Sequence, residues 1–486
     1  MKTIKYTGLW ALATLAAVAP LTAQVPDRSG PPKLGPPPQL SLPAIQEREL
    51  ANGLRVVLME KHQVPVVQIG LVVMAGSAMD PRGKVGLATM TADMMDEGAG
   101  SRDALELADA IDYLGARLSV GAGNHTSVIS LYTPLSKLDD ALPIMADVAL
   151  RPSFPAEELE RKRKSRLTTL LQWHDEPSAV ASVAFNNAIY GDRHPYGTSS
   201  IGDEAAIRSL SVADLTEFHG GYFHPNNAVL IVVGDVTADQ ILPKLQQAFG
   251  AWPRGRFSSP SWPDVKQVDR REVLLVDKPG AAQSEIRIGR VGVERKTEDY
   301  YALQVMNTIL GGSFTSRLNQ NLREDKGYTY GAGSYFSFRV MPGPFTASSA
   351  VQTDATDKAL QEFFREFDAI LEPIPEDELT RGKNYLAFRY PGRFQTVAQI
   401  AGQLDDLFVY DLPSDYFNQY VDRILAVTQQ DVQRVARKYL DPEKVLIIVV
   451  GDREKIESGI RALNLGRVRL LSIEDVLGKK PVVEGS

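Results

Sequence analysis

The pattern of apolar and polar positions repeats along the chain. Residues 211–235 read SVADLTEFHGGYFHPNNAVLIVVGD, and residues 428–452 read TQQDVQRVARKYLDPEKVLIIVVGD. The two segments align without a gap at an offset of 217. Each opens on Ser/Thr-x-x-Asp, Ser211 with Asp214 and Thr428 with Asp431. That spacing predicts a helix N-cap closed by an acid three residues on. Each helix should end before a proline, Pro225 or Pro442, which cannot continue it. Each segment then runs into an unbroken apolar stretch, 228–233 and 445–450, closed by Gly-Asp. An apolar run without alternation predicts a strand buried on both faces.

The same offset recurs nearer the start of each half. LRVVLMEK at 54–61 matches REVLLVDK at 271–278, and Ile69 and Leu71 match Ile286 and Ile288. Two strands followed by a helix therefore open each copy. The expected fold is α+β: two homologous tandem domains, 44–254 and 255–486, each a mixed, largely antiparallel sheet with helices packed on one face. The join falls near 253–266, PRGRFSSPSWPDVK, where turn-forming residues cluster.

The first residues follow a different pattern. Lys2 and Lys5 precede an apolar run from Leu9 to Ala19, and small residues follow to Ala23. This is the three-part form of a secretory signal peptide over 1–23. Residues 24–43 hold seven prolines and read as an extended tether. No later stretch is long and apolar enough to span a bilayer, so the mature chain is expected to be exported, to the periplasm or to an outer membrane through a partner.

Composition narrows the chemistry. Apolar residues are 44% and charged residues 23%, ordinary for a globular chain. A net charge of −7 argues against nucleic acid as a partner. The chain has no cysteine, which removes disulfides, thiol catalysis and cysteine-ligated metals. Its six histidines are His62, His125, His174, His194, His219 and His224. His219 and His224 are too far apart for one helix face, His125 reads as a strand residue and His194 as a loop residue.

The segment GLATMTADMMDEGAG, 86–100, predicts a helix whose buried stripe is Leu87, Met90 and Met94, with Thr89, Asp93 and Asp96 on another face. Asp93, Asp96 and Glu97 lie about one turn apart and read as a solvated acidic face. Further on, SRLNQNLREDKGYTYGAGS, 316–334, predicts a helix with Leu318 and Leu322 on one face, ending near Gly327, then a strand from Tyr328. On the residues alone, Arg323 is a helix-end surface charge and Tyr330 a half-buried strand residue.

With these motifs and the duplicated strand-Gly-Asp ends, the chain resembles the pitrilysin/insulinase-type zinc peptidases, the inverzincins, from about residue 48 to about 465. The family's first helix carries His-x-x-Glu-His after Gly-Leu-Ala: two zinc ligands and the base that activates the metal-bound water. Here those positions are Thr89, Ala92 and Asp93. The family's third ligand, a glutamate on a later helix, falls on Thr169 or Leu170 in ELERKRKSRLTTLLQWHDEP. The resemblance therefore implies a degenerate zinc site and no cofactor in this chain. It also implies a use for Leu322-Arg323 and Tyr330, which match an Arg/Tyr pair that binds substrate backbone and supports the oxyanion. The implied function is a non-catalytic, substrate-binding subunit, active only with a homologous zinc-binding partner, and acting on a peptide or unfolded polypeptide. The alternative is an inert structural or peptide-binding protein of the same fold.

Overall fold

Both duplicated segments form the elements that their sequence predicts. In the computed structural model, which describes residues 35–37, 40–257 and 261–483, Ser211 and Thr428 each close a capping box with the acid three residues on. Contacts divide the chain at Pro37; only residues 35–37 of the first unit are described, and every element below belongs to the unit from Pro38. The expected signal peptide and residues 24–34 lie outside the described residues.

The first sheet contains β1 (Gln46–Glu49), β2 (Arg55–Glu60), β3 (Val66–Val73), β4 (Arg117–Ala122), β5 (Ser127–Pro134) and β6 (Ala228–Gly234). Its order is β1–β2–β6–β3–β5–β4. The second contains β7 (Glu272–Asp277), β8 (Gln283–Val291), β9 (Thr329–Phe336), β10 (Pro344–Gln352), β11 (Leu446–Gly451) and β12 (Arg467–Leu471), in the order β9–β10–β8–β11–β7–β12. Five strands repeat in the same order, and in each sheet the strand after the duplicated helix runs parallel to the first of those five, β2 or β7. The sixth strand breaks the symmetry. In the first sheet it is the N-terminal β1, antiparallel to β2; in the second it is the C-terminal β12, parallel to β7.

Each sheet is covered on one face by its own helices. In the first domain these include α1 (Leu87–Met95), α2 (Ala156–Trp173), which packs on α1, and α4 (Val212–Tyr222). The other face of each sheet is covered by a helix from the opposite half. α3 (Pro177–Tyr190) lies on β11 and β8 of the second sheet, and α7 (Val397–Val409) lies on β6 and β3 of the first. α7 follows α5 (Tyr300–Leu310) and α6 (Glu376–Arg389), the second-domain counterparts of α1 and α2. This exchange explains the unbroken apolar runs. On β6, Leu230 and Val232 pack in a core with Leu87, Met90 and Met94 of α1. The alternate residues Val229, Ile231 and Val233 share a core with Ile400, Ala401 and Leu404 of α7. On the second sheet, Leu274, Val276, Ile448 and Val450 pack against Val180, Ala184 and Phe185 of α3. Gly289 makes room for that contact: a Cβ there would lie 2.7 Å from the Phe185 ring and 2.0 Å from the Phe345 carbonyl oxygen.

The connections are held down. Leu40 and Leu42, at the end of the proline-rich stretch, pack on the larger core. At the join, Trp262 Nε1 donates to the Ala78 carbonyl at 3.1 Å, and Gln267 Nε2 donates to Val291 O at 2.8 Å.

Because each half covers the other's sheet, the two domains should unfold together. Phe185→Ala, although it lies in the first half, should cost about 3–5 kcal/mol. Tryptophan fluorescence and far-UV circular dichroism should report one shifted urea transition. Two separate transitions, or a second domain unaffected by Phe185→Ala, would contradict this packing.

Candidate functional site

α1 begins at Gly86, whose φ of +91° favours glycine and whose missing Cβ leaves room for the Ile201 carbonyl. Its N-terminus is capped from a distance. Asp80 accepts from Gly86 N at 2.7 Å and from Ala88 N at 2.8 Å. Burial pushes the Asp80 carboxyl up to about 7 against the pull of those N–H groups.

The positions of the degenerate zinc site lie on α1 and α2, which pack together, and their polar side chains are engaged elsewhere. The Thr89 hydroxyl donates to Ser200 O at 2.6 Å. Ala92 is fully buried. Thr169 donates back to Ser165 O of its own helix at 3.1 Å. Asp93 meets Arg166 Nη2 at 2.7 Å. The Arg166 side chain is only 7% exposed, and its Nη1 donates to Gly86 O at 2.9 Å and to Ile201 O at 3.3 Å. Just past the end of α1, Glu97 pairs with Arg161 at 2.6 Å and Lys162 at 2.5 Å. Burial would raise the Glu97 carboxyl, but these cations hold it below its ordinary value. The acidic residues on and just after α1 are thus not a free solvated face: Asp93 and Glu97 bind the basic run of α2.

These residues do not fit a zinc ion. Catalytic zinc needs three protein ligands, and here a single carboxylate is offered, bound to a guanidinium that would repel a metal. Among the described residues no group of three or more His, Asp or Glu side chains could hold one. The Asp93–Arg166 pair instead ties α1 to α2, the two helices that a zinc ion joins in the inverzincin motif.

His125 and His219 take structural positions. His125 sits in the turn between β4 and β5, not on a strand; Gly123 and Asn124 beside it bond back to Ser77 and Ala78. It is buried, its Nε2 lies 2.5 Å from Tyr196 Oη, and Trp262 and Tyr196 meet its ring edge-on. Burial, with help from the charges of Arg339 and His194, pushes its pKa down to about 4. His219 Nε2 bonds the Ala149 carbonyl at 2.9 Å.

Arg323 and Tyr330 lie on the second domain. Arg323 is in a π-helical turn, Gln320–Asp325, where Lys326 N reaches back to Asn321 O at 3.0 Å. Such turns are rare and gather at functional sites. Its guanidinium lies 4.6 Å above the Phe314 ring, and its Nε is 3.4 Å from Glu324. Gly327, with φ +66°, turns the chain into β9, the edge strand of the second sheet. Tyr330 stands at an irregular register between Thr329 and Ala332. It is 91% exposed, so it is not the half-buried packing residue that the strand pattern alone suggests. Its hydroxyl has no partner among the described residues, and no hydrogen bond or ring contact joins it to Arg323. Both side chains therefore present donors to solvent from one short segment.

Comparison with known proteins bears on the family and the fold. Residues 55–201 match the model of insulinase, peptidase family M16, and residues 209–386 match that of the peptidase M16 inactive domain. An uncharacterized zinc protease of Mycobacterium leprae is 28% identical over 302 residues, covering 62% of this chain and 68% of that protein. The non-peptidase homolog YmxG of Helicobacter pylori is 21% identical over 86% of this chain and 96% of its own length. The crystal structure of a peptidase M16 inactive domain from Pseudomonas fluorescens superposes with a TM-score of 0.79 at 28% identity, covering 84% of this chain and 98% of that one.

Two outcomes follow from the packing around α1. Arg166→Met should cost about 2–4 kcal/mol, because it strips two buried carbonyls and a carboxylate of their donor. Asp93→Asn should cost under about 1 kcal/mol, since Asp93 is 44% exposed and the guanidinium keeps its carbonyl partners. Urea titration of both variants checks the order, and equal costs would contradict it. The second outcome concerns pH. The folded pKa of His125 lies below its ordinary 6.5, so the stability it contributes is whole above about 6.5 and is lost as pH falls towards 4. Asp80 acts in the opposite sense, its contribution fading as pH rises from its ordinary 3.8 to about 7. The effect of His125 is therefore read as a difference. In His125→Gln the change in stability between pH 7 and pH 5 should shift by about 2 kcal/mol from the unsubstituted chain. No shift would mean that His125 does not titrate as its burial requires.

Two matched models of one family cover about two thirds of the sequence, the duplicated fold is that of its solved members, and the chain belongs to the insulinase, or peptidase M16, family.

Proposed function

We propose that this chain is the non-catalytic, substrate-binding subunit of an exported, two-chain zinc peptidase of the insulinase family. One observation carries the reading. The zinc position is closed by the Asp93–Arg166 pair, whereas Tyr330, on the opposite half of the duplicated chain, stays almost wholly exposed with its hydroxyl unpaired. A homologous partner would hold zinc, and zinc supplies an activated water for hydrolysis. In this chain Arg323 keeps its charge at any working pH, and its one carboxylate neighbour, Glu324 at 3.4 Å, is a weak exposed contact that a substrate carbonyl can displace. The Tyr330 hydroxyl is a second donor seven residues on. Two donors aimed at a peptide carbonyl bind it in the ground state and stabilise the negative charge that develops on its oxygen. The substrate is a peptide or unfolded polypeptide.

Export rests on the Lys2–Ala23 pattern, with the periplasm, or an outer membrane reached through the partner, as the destination. Among the described residues no helix is long and apolar enough to cross a membrane.

A second reading, an inert structural or peptide-binding protein of the same fold, is favoured by the stacking of Arg323 on Phe314 rather than toward Tyr330. The name of the Helicobacter pylori relative, a non-peptidase homolog, is compatible with either reading.

Reconstitution separates the two. Alone, the chain should not cleave a flexible peptide; with a His-x-x-Glu-His homologue it should restore cleavage. Tyr330→Phe, which deletes only a solvent-exposed hydroxyl, should leave assembly intact by sizing chromatography and lower turnover by roughly 10²–10³. Full turnover in an assembled Tyr330→Phe complex would favour the inert reading.

A further inference from the structure

A cavity of about 550 Å³ opens in the second domain between α5, α6 and the start of α7. These helices place it in the groove that corresponds, through the internal duplication, to the α1–α2 groove of the degenerate zinc site. Its lining is polar and carries no acid. Arg389, at the end of α6, and Arg393, four residues on, both border it, and neither has a carboxylate within 4.0 Å among the described residues. Arg389 lies 4.8 Å above the Tyr385 ring, an aromatic contact that leaves its charge without a counter-ion. Arg389 Nη1 instead bonds the Tyr385 hydroxyl, which also lines the cavity. Asp406 feels the charges of Arg295 and Arg393, but burial raises its carboxyl above its ordinary value and it forms no ion pair with Arg393.

A second observation points to a ligand. Tyr390 lines the cavity, is 2% exposed, and its hydroxyl is buried without a hydrogen-bond partner. Its ring is fixed by stacking on Tyr420 at 3.9 Å. A buried unpaired hydroxyl costs free energy unless something else completes it. The side chains of Gln304 and Gln403 border the same space without hydrogen bonds of their own.

We propose that this cavity binds an acidic peptide, with carboxylates on Arg389 and Arg393 and peptide groups on Gln304, Gln403 and the tyrosine hydroxyls. Two guanidinium groups without an ion-pair partner select an anion, and guanidinium pairs with carboxylate in a two-pronged geometry. The amides separate a peptide from a bare phosphate. A phosphate only accepts at neutral pH beyond its single proton, and would leave the Gln acceptors idle, whereas a peptide group donates as well as accepts. The volume lies within the range of small-ligand sites. This site needs neither a partner subunit nor Arg323 and Tyr330, so its success or failure is independent of the proposed peptidase role.

Calorimetry on the full mature chain tests it with three probes: a capped hexapeptide containing one Asp and one Glu, the same peptide with Asn and Gln, and inorganic phosphate. The acidic peptide should bind at least about tenfold more tightly than its amide counterpart, as expected for charge-assisted hydrogen bonds. Arg389→Gln/Arg393→Gln, at exposed positions, should fold normally by circular dichroism and lose about tenfold or more in affinity. Tyr390→Phe should keep the thermal midpoint and lose several-fold. Equal binding of acidic and amide peptides, affinity unchanged in the double variant, or no binding of the acidic peptide would each overturn the proposal. Phosphate binding that outcompetes the peptide would overturn the peptide assignment.

Discussion

Two sheets, each apolar on both faces, constrain everything else in this molecule. Each half of the duplicated sequence supplies helices for one face of its own sheet, so neither half can bury its strands alone. α3 and α7 resolve this by crossing to the opposite domain. The consequence is mutual dependence: the alternate residues of β6 divide between a core made by their own half and a core made by the other. The exchange also sets the route of the chain at the sites of interest. α3 follows α2 directly, and α7 follows α6 through the short turn Tyr390–Phe394. The helices that carry the degenerate zinc positions and the arginine-lined cavity are therefore each anchored by a helix buried on the far sheet.

At the positions where the family's motif carries zinc ligands, the residues present do not fit a metal, and an ion pair joins the two helices. A zinc ion would join α1 to α2 through three side chains. Here a guanidinium on α2 reaches back to one carboxylate on α1 and to two backbone carbonyls at the helix start. The strut survives without the Lewis acid. Such a pair needs no metal supply, but it offers no open coordination position and no activated water. On the other domain the Tyr330 hydroxyl is exposed, and Arg323 is held by an aromatic face and a weak ion pair.

Much of this was legible in the sequence. The 217-residue offset, the two capping boxes and the apolar runs gave the duplicated sheets, because those signals are local and periodic. The absence of His-x-x-Glu-His was equally plain. The exchange was not legible: periodicity shows that α3 and α7 have buried faces, but not against which sheet. The Asp93–Arg166 pair joins residues 73 positions apart, and RKRKSR in 161–166 reads as a solvated face until α1 is placed beside it. His125 was misplaced because its neighbours alternate like a strand, while the tight turn at Gly123 and Asn124 is fixed by bonds to Ser77 and Ala78. Arg389 and Arg393 carried no signal at all, since an unpaired cation is recognisable only once its surroundings are known to lack acids.

The proposed division of labour has this chain contribute substrate contacts and no metal. Elemental analysis of the mature chain alone, and of its complex with a His-x-x-Glu-His homologue, after dialysis without chelator, tests it most directly. The chain alone should hold no stoichiometric zinc, and the complex should hold one zinc for each pair of chains. One tightly bound zinc per copy of this chain would contradict it.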